Sequence, residues 1–250
     1  MSGSLAGKTV LVTAAAGAGL GYAIAKRCAE EGARPVISDI HEQRLAEAAE
    51  RLTGISAEPP IAIPCDVSDT RQVDALIDRA VSEAGAVDVL VNNAGLGGDR
   101  AVVDMTDAEW DRVIDISLTS VFRATRAAFR HMLPRRSGTI VNLASVSGWR
   151  AQEKQAHYAA AKAGVMAFTR CAAMDAASAG VRVNAVAPSL AMHPFLEKTV
   201  SRELLDGLAA KEAFGRGATP DEVANVVVFL ASDLSSYMTG EVISVSSQHP

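Results

Sequence analysis

Lys8-Thr9-Val10-Leu11-Val12-Thr13-Ala14-Ala15-Ala16-Gly17-Ala18-Gly19-Leu20-Gly21 opens as an apolar, β-branched run and closes on three alternating glycines, after which Ile24, Ala25 and Cys28 recur at helical spacing. Such a run reads as a buried strand, the glycines as a turn and the spacing as a helix. In this order glycines let backbone N–H groups approach a pyrophosphate closely, and the helix N-terminus adds a partial positive charge. Gly17, Gly19, Leu20 and Gly21 are the candidate contacts. The stretch also fits an ordinary flexible loop. A phosphate loop of the G-x-x-x-x-G-K-[ST] kind is not supported, because no Lys-Ser or Lys-Thr follows the last glycine.

Working outward, Pro35-Val36-Ile37-Ser38 is a second apolar run, and it ends in Asp39. A carboxylate at the end of a second strand accepts hydrogen bonds from adenosine ribose hydroxyls and repels a 2′-phosphate, which favours NAD while leaving NADP open. Asp39 also fits a cap for the helix expected over 41–52. Arg44 lies within that helix pattern and reads as a solvated side chain. Strand-like runs then alternate with longer helical segments from Lys8 to Val245. This is the pattern of a parallel sheet covered on both faces, and right-handed crossovers make it a Rossmann-type, doubly wound α/β sheet of about seven strands.

A chain of 250 residues, 49% hydrophobic and 21% charged, can bury one substantial core. No Pro- or Ser-rich linker divides it, so one domain is expected over 1–250. A net charge of −5 with scattered charges leaves no basic footprint for nucleic acid. No apolar run approaches the roughly 18 to 20 residues that a membrane span needs, and the N-terminus lacks a secretory layout, so no membrane partner and a cytoplasmic location are expected. Cys28, Cys65 and Cys171 are odd in number and widely spaced, which predicts buried thiols rather than a disulfide or a metal site.

The chemistry-bearing stretch is Tyr158-Ala159-Ala160-Ala161-Lys162, thirteen residues after Ser145. Tyr and Lys at i and i+4 share one helix face, so an ammonium can sit beside a phenol and bring its proton exchange closer to neutral pH. Taken alone, the pair also fits an exposed Tyr and a solvated Lys on an Ala-rich helix.

With these three features together, the chain resembles the short-chain dehydrogenase/reductase family, of the short single-domain type, over essentially its whole length. Further landmarks follow in order: Cys65-Asp66-Val67 after the third strand, Asn92-Asn93-Ala94-Gly95 after the fourth, Asn142-Leu143-Ala144-Ser145 ending the fifth, and Arg182-Val183-Asn184-Ala185-Val186-Ala187-Pro188 at the sixth. The resemblance implies hydride transfer between a nicotinamide and a ketone or secondary alcohol, with Asp66, Val67, Asn93, Ala94, Gly95 and Pro188 against the cofactor. It implies Tyr158 as the acid or base, Ser145 as hydrogen-bond partner of the reacting oxygen, and Lys162 as the group that lowers the phenol pKa and holds the nicotinamide ribose.

Three positions depart from the family pattern. Ala14 replaces the first glycine of a Thr-Gly-x-x-x-Gly-x-Gly turn, which here is one residue longer. Ser117 stands where the family has a catalytic Asn, and is expected to pass protons through water to Lys162. Pro188-Ser189 replaces Pro-Gly. For substrate, Gln155 to Val165 is similar to 3-oxoacyl-thioester reductases acting on a carrier-protein or coenzyme A thioester, while Trp149, Met192, Phe195 and Leu196 suit a steroid-like ring ketone or ordinary packing. Arg150 and Lys154 could receive a substrate anion or simply face water, and His157 and His193 have no role in the resemblance. A covering loop and helix region is expected around 189–215. A silent dinucleotide-binding sensor or scaffold is the rival from another class, favoured by Ser117 and the altered turn. Apolar residues on more than one face of the helices over 107–131 and around Tyr158 exceed what one sheet face needs; the family pairs these helices between subunits, which implies a homotetramer.

Overall fold

The computed structural model describes residues 3–194, 196 and 200–247. Seven strands, β1 (Thr9–Thr13), β2 (Arg34–Asp39), β3 (Ile61–Pro64), β4 (Val89–Asn92), β5 (Thr139–Leu143), β6 (Arg182–Pro188) and β7 (Val242–Val245), form one sheet in the order β3-β2-β1-β4-β5-β6-β7. Every pairing is parallel. Between them run α1 (Leu20–Glu30), α2 (Glu42–Leu52), α3 (Thr70–Ala84), α4 (Asp107–Ile114), α5 (Ser120–Arg135), α6 (Ala156–Ala177), α7 (Arg202–Ala209) and α8 (Pro220–Ala231). The doubly wound architecture expected from the alternation is present.

Side chains of a strand alternate between its two faces, so β1 serves two cores. Val10 and Val12 pack with Ile24 and Cys28 of α1 and with Val223, Val227 and Leu230 of α8. Leu11 packs on the opposite face with Leu76 and Ile77 of α3, Met132 of α5 and Ala176 of α6. Because helices cover both faces, β1 and β5 are buried along their whole length, which is why they read as continuous apolar runs rather than alternating ones.

Among the described residues, four of the eight helix starts are closed by a side chain. Asp69 accepts from the Arg71 and Gln72 N–H groups at α3, Thr106 and Thr219 form capping boxes with Glu109 and Glu222 at α4 and α8, and Ser201 caps α7. Helix α1 starts at Gly19, which has no side chain to offer, so its leading N–H groups remain available to a ligand.

Two expectations are corrected. The helix over 107–131 is interrupted: α4 passes into α5 through a π-helical segment, Asp115–Thr119, and α5 runs on to Arg135. Cys28 and Cys65 are buried, and burial pushes their thiols up to about 12 and about 11, but Cys171 is exposed. Helix α6 faces the sheet through Val165, Met166, Thr169, Ala172 and Ala176, and Cys171 lies off that face. An Ala-rich helix has no polar stripe to mark its outer side in sequence. Among the described residues no helix is long and apolar enough to cross a membrane.

Candidate active site

Strand β1 is followed outward by β2 and β3, whereas β4 returns to its other side, so the chain reverses direction between β1 and β4 and opens a crevice at their carboxyl ends. The glycine turn stands there, and Thr13 ties it to β4. The Thr13 hydroxyl accepts from the Asn93 and Ala94 N–H groups at 3.0 and 3.1 Å, and the Asn93 amide donates back to the Thr13 and Ala14 carbonyls, both at 3.0 Å. Thr13 has no site role in the sequence reading, although its place at the end of β1, beside the exit of β4, is the signal that could have found it.

Ala14, standing where the resembled family has glycine, adopts a left-handed backbone with φ +51°. A Cβ there is strained by about 1–2 kcal/mol. Gly21 lies so close to the Ala14 carbonyl that a Cβ would stand 2.3 Å from its oxygen, so the last glycine of the motif is needed for close approach of helix to turn. Asp39 reaches the same turn: its carboxylate accepts from the Ala16 N–H at 3.2 Å and from the His41 N–H at 3.0 Å. Burial raises its pKa, opposed by the Ala16 hydrogen bond and the charge of Arg44. The alternative of Asp39 as an α2 cap is not what forms, since α2 has His41 at its N-cap and no side-chain cap. Asp66 accepts from Ser68 at 2.7 Å, Val67 is half-buried beside it, and Gly95 lies against Lys162. Pro188 is the buried last residue of β6.

Ser145, Tyr158 and Lys162 converge on the same crevice. Ser145 follows β5 and accepts from the Ser147 N–H at 3.2 Å, capping a short 3-10 turn that fixes the direction of its hydroxyl. The Tyr158 phenol is in hydrogen-bonding reach of Ser145. The Lys162 ammonium lies 5.6 Å from the centre of the Tyr158 ring and donates to the Leu143 carbonyl at 2.6 Å. A buried polar chain holds the helix to the sheet: the Asn92 amide donates to Asn142 at 2.8 Å, and the Asn142 amide to Thr169 at 2.9 Å. Asn92 and Asn142 are register partners on β4 and β5, and Thr169 is on α6, so these bonds set where Tyr158 and Lys162 stand.

The electrostatics differ from the sequence expectation. Burial pushes the Tyr158 phenol above its ordinary value, and the Ser145 hydrogen bond offsets only part of this. Burial pushes Lys162, 3% exposed, down to about 8. Lysine and phenol share a helix face, yet the ammonium is directed at the Leu143 carbonyl, so in the protein alone desolvation outweighs its pull on the phenol.

Ser117 sits inside the π-helical segment, fully buried, with its oxygen 2.9 Å from both the N–H and the carbonyl oxygen of Leu96. Its hydroxyl thus holds the 94–98 loop. A proton route from this side chain toward Lys162 would have to share the hydroxyl with Leu96. His157 is buried against Gly98, and the Gln155 amide donates to the Gly98 carbonyl, so both pin the same loop to the start of α6. Trp149 is half-exposed. Met192 packs on Gly217, and the covering segment is pinned by bonds of 2.8 Å between Met192 and Ala218 and between Ala218 and Leu190. Leu196 donates its N–H to His193 at 3.2 Å. Phe195, named among the candidate pocket residues, lies outside the described residues.

The arrangement can hold a negatively charged, hydroxyl-bearing ligand at the uncapped α1 and Asp39, and can exchange a proton with an oxygen placed between Ser145 and Tyr158. A sequence profile described as enoyl-(acyl carrier protein) reductase matches residues 14–247. The (5R,7aS)-5-hydroxy-7a-methyl-1-oxo-2,3,5,6,7,7a-hexahydro-1H-indene-carboxyl-CoA reductase of Mycobacterium tuberculosis is 64% identical over 99% of this chain and 95% of its own length. A 3-oxoacyl-[acyl-carrier-protein] reductase of Thermotoga maritima is 38% identical over 96% of this chain and 97% of its own. The crystal structure of a short chain dehydrogenase from Mycobacterium smegmatis superposes with a TM-score of 0.88, at 56% identity, over 99% of this chain and 95% of that one.

Proposed function

The chain belongs to the short-chain dehydrogenase/reductase family, and from that premise we propose that it interconverts a ring ketone and its secondary alcohol carried on a coenzyme A thioester, with NAD as the preferred cofactor. The observation that carries the reaction is the convergence of Ser145, Tyr158 and Lys162 at the switch-point crevice. The bound nicotinamide supplies or accepts the hydride. Tyr158 donates the proton to the oxygen in reduction and removes it in oxidation, and Ser145 hydrogen-bonds the same oxygen and stabilises charge on it as it develops. Lys162 spends one donor on Leu143 and has two left for ribose hydroxyls. At the other end of the crevice the open α1 N-terminus receives the pyrophosphate, while Asp66, Val67, Asn93, Ala94, Gly95 and Pro188 line the groove.

Asp39 supports NAD over NADP, since a carboxylate held at this turn by the Ala16 N–H would face a 2′-phosphate with like charge. The substrate class rests on the relative at 64% identity, whose substrate joins a fused ring to a coenzyme A ester. A linear 3-oxoacyl thioester is the second reading, supported by the relative at 38%.

The test is a panel of fused-ring ketones as coenzyme A esters, short 3-oxoacyl thioesters and simple cyclic ketones, each with NADH and NADPH. The ring coenzyme A esters with NADH should give the highest kcat/KM. Binding of nucleotide without turnover of any member would favour the silent sensor. We further propose a cytoplasmic homotetramer, supported by the exposed Trp110 and Phe122 along α4 and α5 and the exposed Met174 on α6. Light scattering at micromolar concentration giving a monomer mass would refute it.

A further inference from the structure

We propose that Arg51, at the end of α2, is a positioning residue for the cofactor: it clamps the lengthened glycine turn in the shape that receives the pyrophosphate. Its guanidinium donates to the Gly17 carbonyl at 2.7 Å, and its carbon centre stands 4.0 Å over the ring of Tyr22, in the first turn of α1. One planar group thus joins three elements: its edge holds the turn, its face rests on α1, and its stem belongs to α2. The turn needs such a brace. It has one residue more than the family pattern, Ala14 is left-handed where glycine would be relaxed, and Gly17 itself has φ +90°. The N–H groups of Ala15 and Ala16 are held by the Ser38 carbonyl and the Asp39 carboxylate, and Arg51 holds the Gly17 carbonyl, so the turn is pinned on both sides of its first half. The same geometry commits the guanidinium of Arg51 to the Gly17 and Glu47 carbonyls and to a ring, which leaves Asp39 to decide the nucleotide. A lysine cannot replace it, because an ammonium does not stack and donate in plane at once.

This inference rests on the reading of the turn as a pyrophosphate site, and the experiment separates the two. NADH and NADPH dissociation constants from fluorescence titration, together with kcat and KM, are compared for the wild type, Arg51→Met, Arg51→Lys and Tyr22→Leu. Arg51→Met should weaken NADH about three- to tenfold and NADPH by the same factor, with kcat at saturating NADH unchanged. Arg51→Lys should restore less than half of the loss, and Tyr22→Leu should reproduce it in part, which also serves if the Met variant does not fold. An NADH constant unchanged in Arg51→Met, or in Tyr22→Leu should that be the only variant to fold, overturns the clamp. A loss confined to NADPH also overturns it, because Arg51 would then read the 2′-phosphate. A wild type that binds neither nucleotide removes the functional reading itself.

Discussion

The two edges of the sheet carry similar chemistry and treat it differently. At the amino edge, Lys8, Asp88, Arg136, Arg182 and Asp233 line a crevice of about 290 Å3. Their charges are satisfied there: Lys8 pairs with Asp233 at 2.7 Å, Asp88 with Arg135 at 2.8 Å, Arg136 donates to the Ser178 carbonyl, and Arg182 donates to Leu230, Ser232, Ser235 and Thr139. At the carboxyl edge, α1 begins without a side-chain cap and Lys162 is buried with a single carbonyl acceptor. The amino-edge groups are saturated, whereas the carboxyl-edge groups keep spare hydrogen-bonding capacity.

The comparison breaks first at Tyr158. Tyr158→Phe should lower kcat by about 10² to 10⁴-fold while NADH binding, followed by fluorescence titration, stays within a few-fold of wild type; unchanged turnover would mean that the carboxyl edge is as inert as the amino one. Next comes the buried ammonium. Lys162 titrates at about 8 in the folded chain against 10.5 when free, so between these values the unfolded chain holds the extra proton and unfolding free energy rises with pH. Over that window the wild type should gain up to about 3 kcal/mol relative to Lys162→Met, read from denaturant melts of both at several pH values. A flat difference would place the lysine in water.

Smaller effects sharpen the contrast. Asp39→Ala removes the carboxylate that opposes a 2′-phosphate and should move the NADH to NADPH ratio of kcat/KM about tenfold toward NADPH. At the amino edge, Asp233→Ala opens an exposed pair and should change stability by less than about 1 kcal/mol, with both KM values unmoved. A shift in KM there would break the division between the edges.

Much of the site was legible before any coordinates. The Gly17, Gly19 and Gly21 spacing, Asp39 at a strand end and the i, i+4 pair of Tyr158 and Lys162 are local features, and the chain places them where their spacing implied. What escaped the reading depended on partners distant in sequence. The bonds of Ser117 to Leu96, 21 residues away, could not be read from its position, and the pKa of Tyr158 moves opposite to expectation because burial outweighs the Ser145 hydrogen bond. Cys171 was placed inside because an Ala-rich helix hides which side faces out.

Periodicity and turn chemistry, which act over a few residues through backbone sterics, are enough in this chain to set the order of strands and helices. The ties of Thr13 to Ala94 across 81 residues, of Asn142 to Thr169 across 27 and of Arg51 to Gly17 across 34 arise only once the sheet has assembled. Which polar groups end up saturated and which keep spare capacity is therefore decided in three dimensions, because burial and hydrogen-bond partners are properties of neighbours in space.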